Sequence, residues 1–323
     1  MAELTRDDYR VPSGSDGLSL LLRRKRPAGA VPATPQKTVL FVHGATYAST
    51  LTFDYPIDGL SWMDGLAMAG FDTWCLDLLG YGGADRPPAM DEPPDHHPPL
   101  VDTAQAVDDL ERAVDFICAE RGIDRLCLIG YSWGSAICGG FAGRRPDKVA
   151  RLVLYGAIWL GVGGGSVATG GRPGAYRTVD ADAVIARWQS GLDAGQLAAI
   201  APEDRIHAWA EAAIASDPAA GASDPPRLRA PAGVVKDVLD HWRQDRPTYD
   251  PAGIRAPTLV VVGEWDRETT PEQGRGVFDR LENAADRRYL VIGRATHSML
   301  LENQRHALHN AVEAFLKEGW EDG

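Results

Sequence analysis

A serine hydroxyl lies within the Gly-Tyr-Ser-Trp-Gly pattern of residues 130–134, where strand and helix signals meet. The apolar run 126–129 is typical of a strand buried on both faces, and small residues typical of a helix follow the second glycine. The pattern predicts a sharp strand-turn-helix in which the backbone at the serine is strained and its hydroxyl points into the mouth of the sheet. Ser132 is therefore the predicted nucleophile.

The serine hydroxyl needs a base, because it is a poor nucleophile at neutral pH. An imidazole has an ordinary pKa of about 6.5 and can take and return the proton. His297 follows the last predicted strand, on the same edge of the sheet as Ser132, and is the predicted base. His43, beside a glycine at another strand end, is interpreted as a brace for its loop.

The imidazole in turn needs a carboxylate that fixes its tautomer and stabilises its protonated form. Two acidic residues, Glu264 and Asp266, directly follow the predicted strand 257–263. Strand ends gather at one edge of a doubly wound sheet, so either carboxylate is expected near His297. The residue types alone leave the choice between them open.

The elements that must position these side chains alternate along the chain. Strands are predicted at 17–26, 38–44, 71–77, 126–130, 149–156, 257–263 and 288–293, and helices at 56–70, 100–121, 134–144, 271–281 and 302–317. This alternation predicts an α/β protein with a doubly wound, mostly parallel sheet. The basic tetrad 23–26 is interpreted as a solvated strand end, and the proline-rich stretch 85–99 as an irregular loop.

The strand rhythm breaks between residues 158 and 250, which contain a glycine cluster at 161–165 and no strong strand signal. Helical stretches are predicted at 181–188, 203–215 and 234–242. We interpret 158–250 as a helical cap inserted into a core domain formed by 1–157 and 251–323. Its tryptophans, among them Trp159, are expected either to pack the cap or to line a pocket beneath it.

Composition narrows the class of partner. The 323 residues carry a formal net charge of -12, which argues against nucleic acid or anionic lipid and favours a small-molecule partner. No N-terminal apolar signal and no run of about 20 apolar residues occurs, so we expect a cytoplasmic protein without a membrane partner. The four cysteines lack C-x-x-C spacing and are predicted to be buried thiols. Monomer and homodimer are both compatible with the sequence.

Five motifs together resemble the α/β-hydrolase family, in its branch of serine carboxylesterases and carbon-carbon bond hydrolases. They are His-Gly at 43–44, Asp-Leu-Leu-Gly-Tyr-Gly at 77–82, the serine pattern at 130–134, Gly-Glu-Trp-Asp at 263–266 and Ala-Thr-His-Ser at 295–298. The resemblance implies an eight-stranded sheet with an inserted cap. It also implies a catalytic triad of Ser132, Asp266 and His297, which selects Asp266 over Glu264.

The family resemblance further implies an oxyanion hole built from the backbone amides of Trp133 and Ala45, with the Thr46 hydroxyl as a possible supplement. The chain departs here from relatives that carry a triple glycine, or a proline two residues after His-Gly. Serine at position 132 separates it from relatives that open epoxides or remove halide with aspartate, and from those that use cysteine. No metal and no cofactor are expected.

The leading hypothesis is a serine hydrolase that cleaves a carboxylic ester of a small molecule through an acyl-enzyme, with water as the second substrate. A carbon-carbon bond (diketone) hydrolase, a thioesterase, a lactonase and a cofactor-free perhydrolase remain alternatives, as does a non-catalytic small-ligand receptor. Expected substrate-binding residues are Thr46, Trp159, Arg172 and Arg177. Arg172, Arg177 and Arg187 are candidates for binding an acid group on the substrate.

Overall fold

A computed structural model describes residues 3–29, 33–161 and 172–319 of the 323-residue chain. The strands are β1 (Leu4–Pro12), β2 (Ser19–Pro27), β3 (Thr38–Val42), β4 (Asp72–Asp77), β5 (Leu126–Tyr131), β6 (Val149–Tyr155), β7 (Tyr176–Val179), β8 (Leu228–Pro231), β9 (Thr258–Gly263) and β10 (Arg287–Ile292). The α-helices are α1 (Ser49–Thr52), α2 (Trp62–Met68), α3 (Thr103–Arg121), α4 (Trp133–Arg144), α5 (Ala181–Gln189), α6 (Ala194–Ile200), α7 (Glu203–Ala215), α8 (Gly233–Asp240), α9 (Pro271–Arg280) and α10 (Arg305–Lys317). Short 3-10 helices lie at Pro88–Asp91, Pro94–His96, Pro146–Lys148, Ala220–Ala222, Trp242–Gln244, Pro251–Gly253 and Met299–Leu301.

Eight strands form one sheet in the order β1-β2-β4-β3-β5-β6-β9-β10. Strand β2 pairs antiparallel with β1 and β4, and every other pair in the sheet is parallel. The predicted eight-stranded, mostly parallel sheet is confirmed. The carboxyl ends of β3, β5, β9 and β10 consequently meet at one edge, where polar loops can converge.

Apolar side chains alternate between the two faces of the sheet. In β3, Leu40 and Val42 pack on the face covered by α3 and α4, whereas Val39 and Phe41 pack on the face covered by α2 and α10. All four side chains are fully buried. The core therefore has two layers, one on each side of the sheet.

Local capping sets where the helices begin. The predicted helix 56–70 begins only at Trp62, because Ser61 and Asp64 form a reciprocal capping box. Helix α3 begins after Asp102, whose side chain accepts a hydrogen bond from the Gln105 amide, and ends at Gly122 in a left-handed conformation with φ 64°. The long apolar stripes in these helices were visible in the sequence, whereas their first turns depended on the caps.

The sequence did not predict three of the strands, namely β1, β7 and β8. Strand β1 is an edge strand whose nine residues include four charged ones, three of them consecutive, and it gains its order from pairing with β2 over its whole length. Strands β7 and β8 form a separate antiparallel ribbon of four residues each, too short to show a period. The helices α1 and α6 were also missed.

The segment between β6 and β9 contains the ribbon and helices α5 to α8. The predicted helices at 181–188, 203–215 and 234–242 correspond to α5, α7 and α8. Residues 162–171, which include most of the predicted glycine cluster, lie outside the described residues. The division into a core and a cap at residues 158–250 stays a prediction.

No helix in the described ranges is both long and apolar enough to cross a membrane. The four cysteines are buried and free. Histidines 207, 306 and 309 lie in helices, and His241 follows the end of α8.

The interpretation of the basic tetrad as a solvated strand end is wrong. Arg24 is only 4% exposed, and it donates to both carboxylate oxygens of Asp72 at 2.6 and 2.9 Å. Arg121 from α3 donates to the same carboxylate at 2.6 Å. Lys25 pairs with Asp54 and Asp64. The ion pairs therefore tie β2 to β4 and to the helices, so the tetrad contributes to the core of the fold.

We predict that Asp72→Asn lowers the free energy of unfolding by about 3 kcal/mol, because the buried Arg24 guanidinium loses the charge that neutralises it. Urea unfolding followed by circular dichroism measures the change. Asp279→Asn, which removes an exposed helix pair with Arg275, is the matched control and should have a much smaller effect. Equal effects of the two substitutions would contradict the prediction.

Candidate active site

Ser132 lies at the turn between β5 and α4 with φ 54° and ψ -120°, a conformation that costs a non-glycine residue energy. A Cβ atom at Gly130 would clash with the backbone of Gly134, and one at Gly134 would clash with the carbonyl oxygen of Val42. The two glycines are therefore required by close backbone packing. The strained turn directs Ser132 into the cavity at the sheet edge.

His297 and Asp266 are in contact. His297 Nδ1 lies 2.8 Å from Asp266 Oδ2, and both side chains are buried. Asp266 also accepts hydrogen bonds from the amides of Glu268 and Thr269 and from the Thr269 hydroxyl, at 2.8 to 2.9 Å. These donors fix the carboxylate, which accepts from the imidazole, so Nδ1 carries the imidazole proton and Nε2 is left as the acceptor.

Glu264, the other carboxylate considered for this position, is exposed and accepts a hydrogen bond from the Arg294 amide at 2.8 Å. The structure thus brings Asp266, and not Glu264, to His297. Glu264 directly follows the last residue of β9, whereas Asp266 lies beyond a turn in which its amide donates to the Gly263 carbonyl oxygen at 3.1 Å.

Ser132 and His297 line the same cavity, together with Ala45, Tyr47 and Glu268. Within the described residues, the buried His297 Nε2 has no hydrogen-bond partner, so the serine and histidine are close but not bonded. The free volume of the cavity is about 20 Å³, roughly the space of one water molecule. The cavity is narrow, with Trp188 and Trp209 of α5 and α7 forming part of its wall.

The carboxylates near His297 favour the protonated form of its imidazole. Burial lowers the pKa of His297, but the Asp266 and Glu268 carboxylates outweigh burial and raise it above its ordinary value.

The hydroxyls of Tyr131 and Tyr155 donate to the His297 carbonyl oxygen at 3.1 and 2.6 Å, which fixes the backbone of the loop.

The loop after β3 lies directly against Ser132. A Cβ atom at Gly44 would come within 2.9 Å of Ser132 Cβ, so glycine permits this approach. His43 braces the loop, because its Nε2 accepts from the Leu78 amide at 3.3 Å and its Nδ1 therefore donates to the Gly44 carbonyl at 2.7 Å. Burial lowers the pKa of His43, so its neutral form is favoured. Ala45 follows this brace and borders the cavity.

Trp133, whose amide is the other predicted oxyanion donor, is the first residue of α4. Its indole is fully buried and donates to the Thr103 hydroxyl at 2.9 Å, which anchors the helix start. A helix N-terminus presents unpaired amides and a positive partial charge, and is thus suited to a developing oxyanion.

Thr46 is buried and has φ 87°, which is rare for a β-branched residue. Its hydroxyl accepts hydrogen bonds from two arginines of the segment between β6 and β9, Arg177 of β7 and Arg187 of α5. Arg187 also donates to the Glu268 carboxylate at 2.9 and 2.5 Å. Sequence reasoning missed Glu268, because nothing in the local pattern distinguishes it from a solvated acid.

The other residues expected to bind substrate have different surroundings. Trp159 donates to the Tyr249 carbonyl oxygen at 3.1 Å and packs against the core, away from the described cavity lining. Arg172 is exposed. Arg177 is partly buried, and it donates to the Thr46 hydroxyl and to the Pro231 carbonyl oxygen. In the described ranges, no group of three or more His, Cys, Asp or Glu side chains is arranged to hold a metal.

A family model described as the alpha/beta hydrolase fold matches residues 37–162. Among solved structures, a serine hydrolase from Cycloclasticus zankles and a 2-hydroxy-6-oxo-6-phenylhexa-2,4-dienoate hydrolase from Rhodococcus sp. strain RHA1 each align with a TM-score of 0.65 at 17% identity, over 98% of this chain and 100% of theirs. At this identity the likeness establishes the fold. The chain is therefore an α/β-hydrolase-fold protein, as the sequence resemblance predicted.

Among curated proteins, the chain is 31% identical to Epoxide hydrolase 2 of Siraitia grosvenorii over 125 residues, or 38% of this chain and 33% of that protein. The chain spans about a quarter to a third of the length of the curated relatives that it matches. The relatives and the structural neighbours named here are hydrolases of different chemistries.

The close packing at the serine turn predicts that two glycine-to-alanine substitutions in α4 change the free energy of unfolding in opposite directions. Gly134→Ala should lower the free energy of unfolding by more than about 2 kcal/mol, because its methyl group meets backbone that cannot yield. Gly143→Ala, near the end of the same helix, meets nothing closer than 4.0 Å and should stabilise by up to about 1 kcal/mol. Thermal unfolding measures both, and a tolerated Gly134→Ala would contradict the packing argument.

Proposed function

We propose that the protein is a serine hydrolase that cleaves a carboxylic ester of a small molecule through an acyl-enzyme. The observation that carries the proposal is the His297 imidazole, fixed by Asp266 through Nδ1, whose Nε2 borders the cavity that Ser132 lines and has no hydrogen-bond partner among the described residues. A base held in this tautomer, beside a serine at a strained turn, is suited to activating that serine.

In the proposed reaction, Ser132 Oγ attacks the ester carbonyl carbon while His297 Nε2 takes the hydroxyl proton. The amides of Trp133 and Ala45 donate to the oxyanion of the tetrahedral intermediate, a contribution of about 3 kcal/mol for each donor in comparable sites. Collapse of the intermediate breaks the ester carbon-oxygen bond, and Nε2 returns the proton to the departing alcohol. Water then attacks the acyl-enzyme by the same steps and releases the acid.

The curated relatives that act on epoxides suggest a different chemistry, which the serine disfavours. An aspartate nucleophile that opens an epoxide forms an ester, and water can hydrolyse that ester at its carbonyl carbon. A serine that opened an epoxide would form an ether, which has no carbonyl carbon and would not turn over. Ser132 therefore supports acyl transfer as the reaction class.

Several substrate classes are compatible with acyl transfer by the same residues. Thioesters, lactones, vinylogous diketones and, with peroxide as the acceptor, peracid formation all require the same serine, base and oxyanion donors. The cavity of about 20 Å³ is smaller than any of these substrates, so the side chains that line it, including Trp188 and Trp209, must rearrange when a substrate enters. A non-catalytic receptor would need neither the activated serine nor the oriented imidazole.

We predict that Ser132→Ala lowers kcat for p-nitrophenyl acetate by at least about 10⁴-fold, because the acyl acceptor is lost. The fold should persist, as circular dichroism can verify. A fluorophosphonate probe should add its mass at Ser132 in the wild type, and His297→Ala should suppress the labelling. Undiminished hydrolysis by Ser132→Ala would eliminate the proposal, whereas ligand binding without labelling would favour the receptor.

Arg177 supports a substrate with an acid group. It donates to the Pro231 carbonyl oxygen at 2.9 Å and to the Thr46 hydroxyl, and within the described ranges it has no carboxylate partner. Burial and the nearby Arg187 lower the pKa of Arg177, which reflects the electrostatic cost of burying this charge. A substrate carboxylate would offset that cost.

We expect Arg177→Gln to lower the ratio of kcat/KM for mono-p-nitrophenyl glutarate to that for p-nitrophenyl valerate by about 10-fold or more. The two esters differ in the terminal carboxylate, so the ratio isolates recognition of the charge. Arg172→Gln, which changes an exposed arginine, is the matched control and should leave the ratio unchanged. An unchanged ratio in Arg177→Gln would show that this arginine does not bind the acid group.

A further inference from the structure

A second carboxylate lies near the reactive nitrogen of the imidazole. Glu268 Oε2 is 3.9 Å from His297 Nε2, on the opposite side of the ring from Asp266. This separation is too long for a hydrogen bond but short enough for a strong electrostatic interaction in a largely buried site. The proposed proton transfer uses Asp266 and His297 and assigns no role to Glu268.

The Glu268 carboxylate is held by Arg187 of the inserted segment. Arg187 Nε and Nη2 donate to its two oxygens at 2.9 and 2.5 Å, a bidentate arrangement that fixes both charge and orientation. Burial raises the pKa of Glu268, but Arg187 and His297 outweigh burial and lower it to about 2. Glu268 is therefore ionised throughout the pH range in which His297 titrates.

Arg187 also connects this acid to the oxyanion loop, because its Nη1 donates to the Thr46 hydroxyl at 3.3 Å. One guanidinium thus contacts the loop that bears Asp266 and the loop that bears Ala45. Its own helix, α5, belongs to the segment that covers the cavity.

We propose that Glu268 and Arg187 are positioning residues for His297, in which Glu268 stabilises the protonated imidazole from the Nε2 side and Arg187 keeps that carboxylate outside hydrogen-bond distance. The inference rests on the proposed function, since it concerns the proton that His297 takes from Ser132. If Arg187 released it, the carboxylate could accept the Nε2 proton directly and compete with the leaving alcohol for that proton.

Titratable and charged groups approach His297 from several packed elements. They are Asp266 and Glu268 from the loop after β9, Arg187 from α5, Glu302 from the turn before α10, and the hydroxyls of Tyr131 and Tyr155 from β5 and β6. Of these, Glu302 is bound to Thr296 and to the Trp188 indole, and the two tyrosines are bound to the His297 carbonyl. Glu268 and Arg187 are the pair with opposite charges at the Nε2 side.

The test is the pH dependence of kcat/KM for p-nitrophenyl acetate. Activity requires neutral His297, so kcat/KM falls as the pH drops through the pKa of that residue in the free enzyme, and this fall is the acid limb of the pH profile. Glu268→Gln removes a negative charge and should move this acid limb down by about 1 pH unit. Arg187→Gln removes a nearby positive charge and leaves the carboxylate uncompensated, so it should move the limb up, and the double variant should lie between the two single variants.

Two further variants separate this role from a structural one. Glu264→Gln changes an exposed acid on the same turn and should leave the limb unmoved, and Arg187→Lys should restore the wild-type limb by keeping the charge. Opposite shifts in the two single variants support the proposal. An unmoved limb in Glu268→Gln, or shifts of the same sign in both, overturns it.

A measurement without turnover distinguishes failure of this inference from failure of the proposed function. NMR titration of His297 in the Ser132→Ala background, assigned by its loss in His297→Ala, should show the same downward and upward shifts. Shifts of the imidazole in a protein that cleaves no ester would retain the electrostatic role and reject the hydrolase. Ester cleavage with an unshifted imidazole would do the reverse.

Discussion

The close approach of α4 to β5 and to the end of β3 constrains the rest of the site. Gly130 and Gly134 lie where a Cβ atom would collide with backbone, and Ser132 between them is held at φ 54°. Because backbone on both sides is part of the sheet and its first helix layer, the strain cannot relax locally. The strain is maintained by the two-layer core, and it directs the serine toward loops contributed by β3, β9 and β10.

The electrostatics of the site follow from the same convergence. The imidazole of His297 contacts Asp266 through Nδ1, while Nε2 borders the cavity. Charges of both signs surround the buried imidazole, so each interaction is stronger than it would be at the surface. The segment between β6 and β9 contributes to this balance through Arg187 and Arg177, so it affects the charges around His297. Movement of α5 would alter Thr46 and Glu268 together.

Buried ion pairs recur away from the site and illustrate what local sequence conceals. Arg24, within a run of four basic residues, has the appearance of a solvated end, yet it is buried against Asp72, which is 48 residues away in the chain. Glu268 likewise appears to be a surface acid until Arg187, 81 residues earlier, is brought to it. In both cases the partner lies on a different element, and local composition contains no information about that pairing.

The sequence by itself determined the sheet class, the main helices and the approximate positions of the chemistry-bearing loops. Apolar runs reveal strands buried on both faces, and glycine patterns mark turns whose backbones pack closely. It could not determine β1, the β7-β8 ribbon or the start of α2, because pairing and capping set those elements. Only the tertiary structure decided that Asp266 contacts His297, that Trp159 packs in the core and that Glu268 faces Nε2. Those outcomes depend on distances between residues far apart in the chain, which folding sets and local residue patterns do not contain.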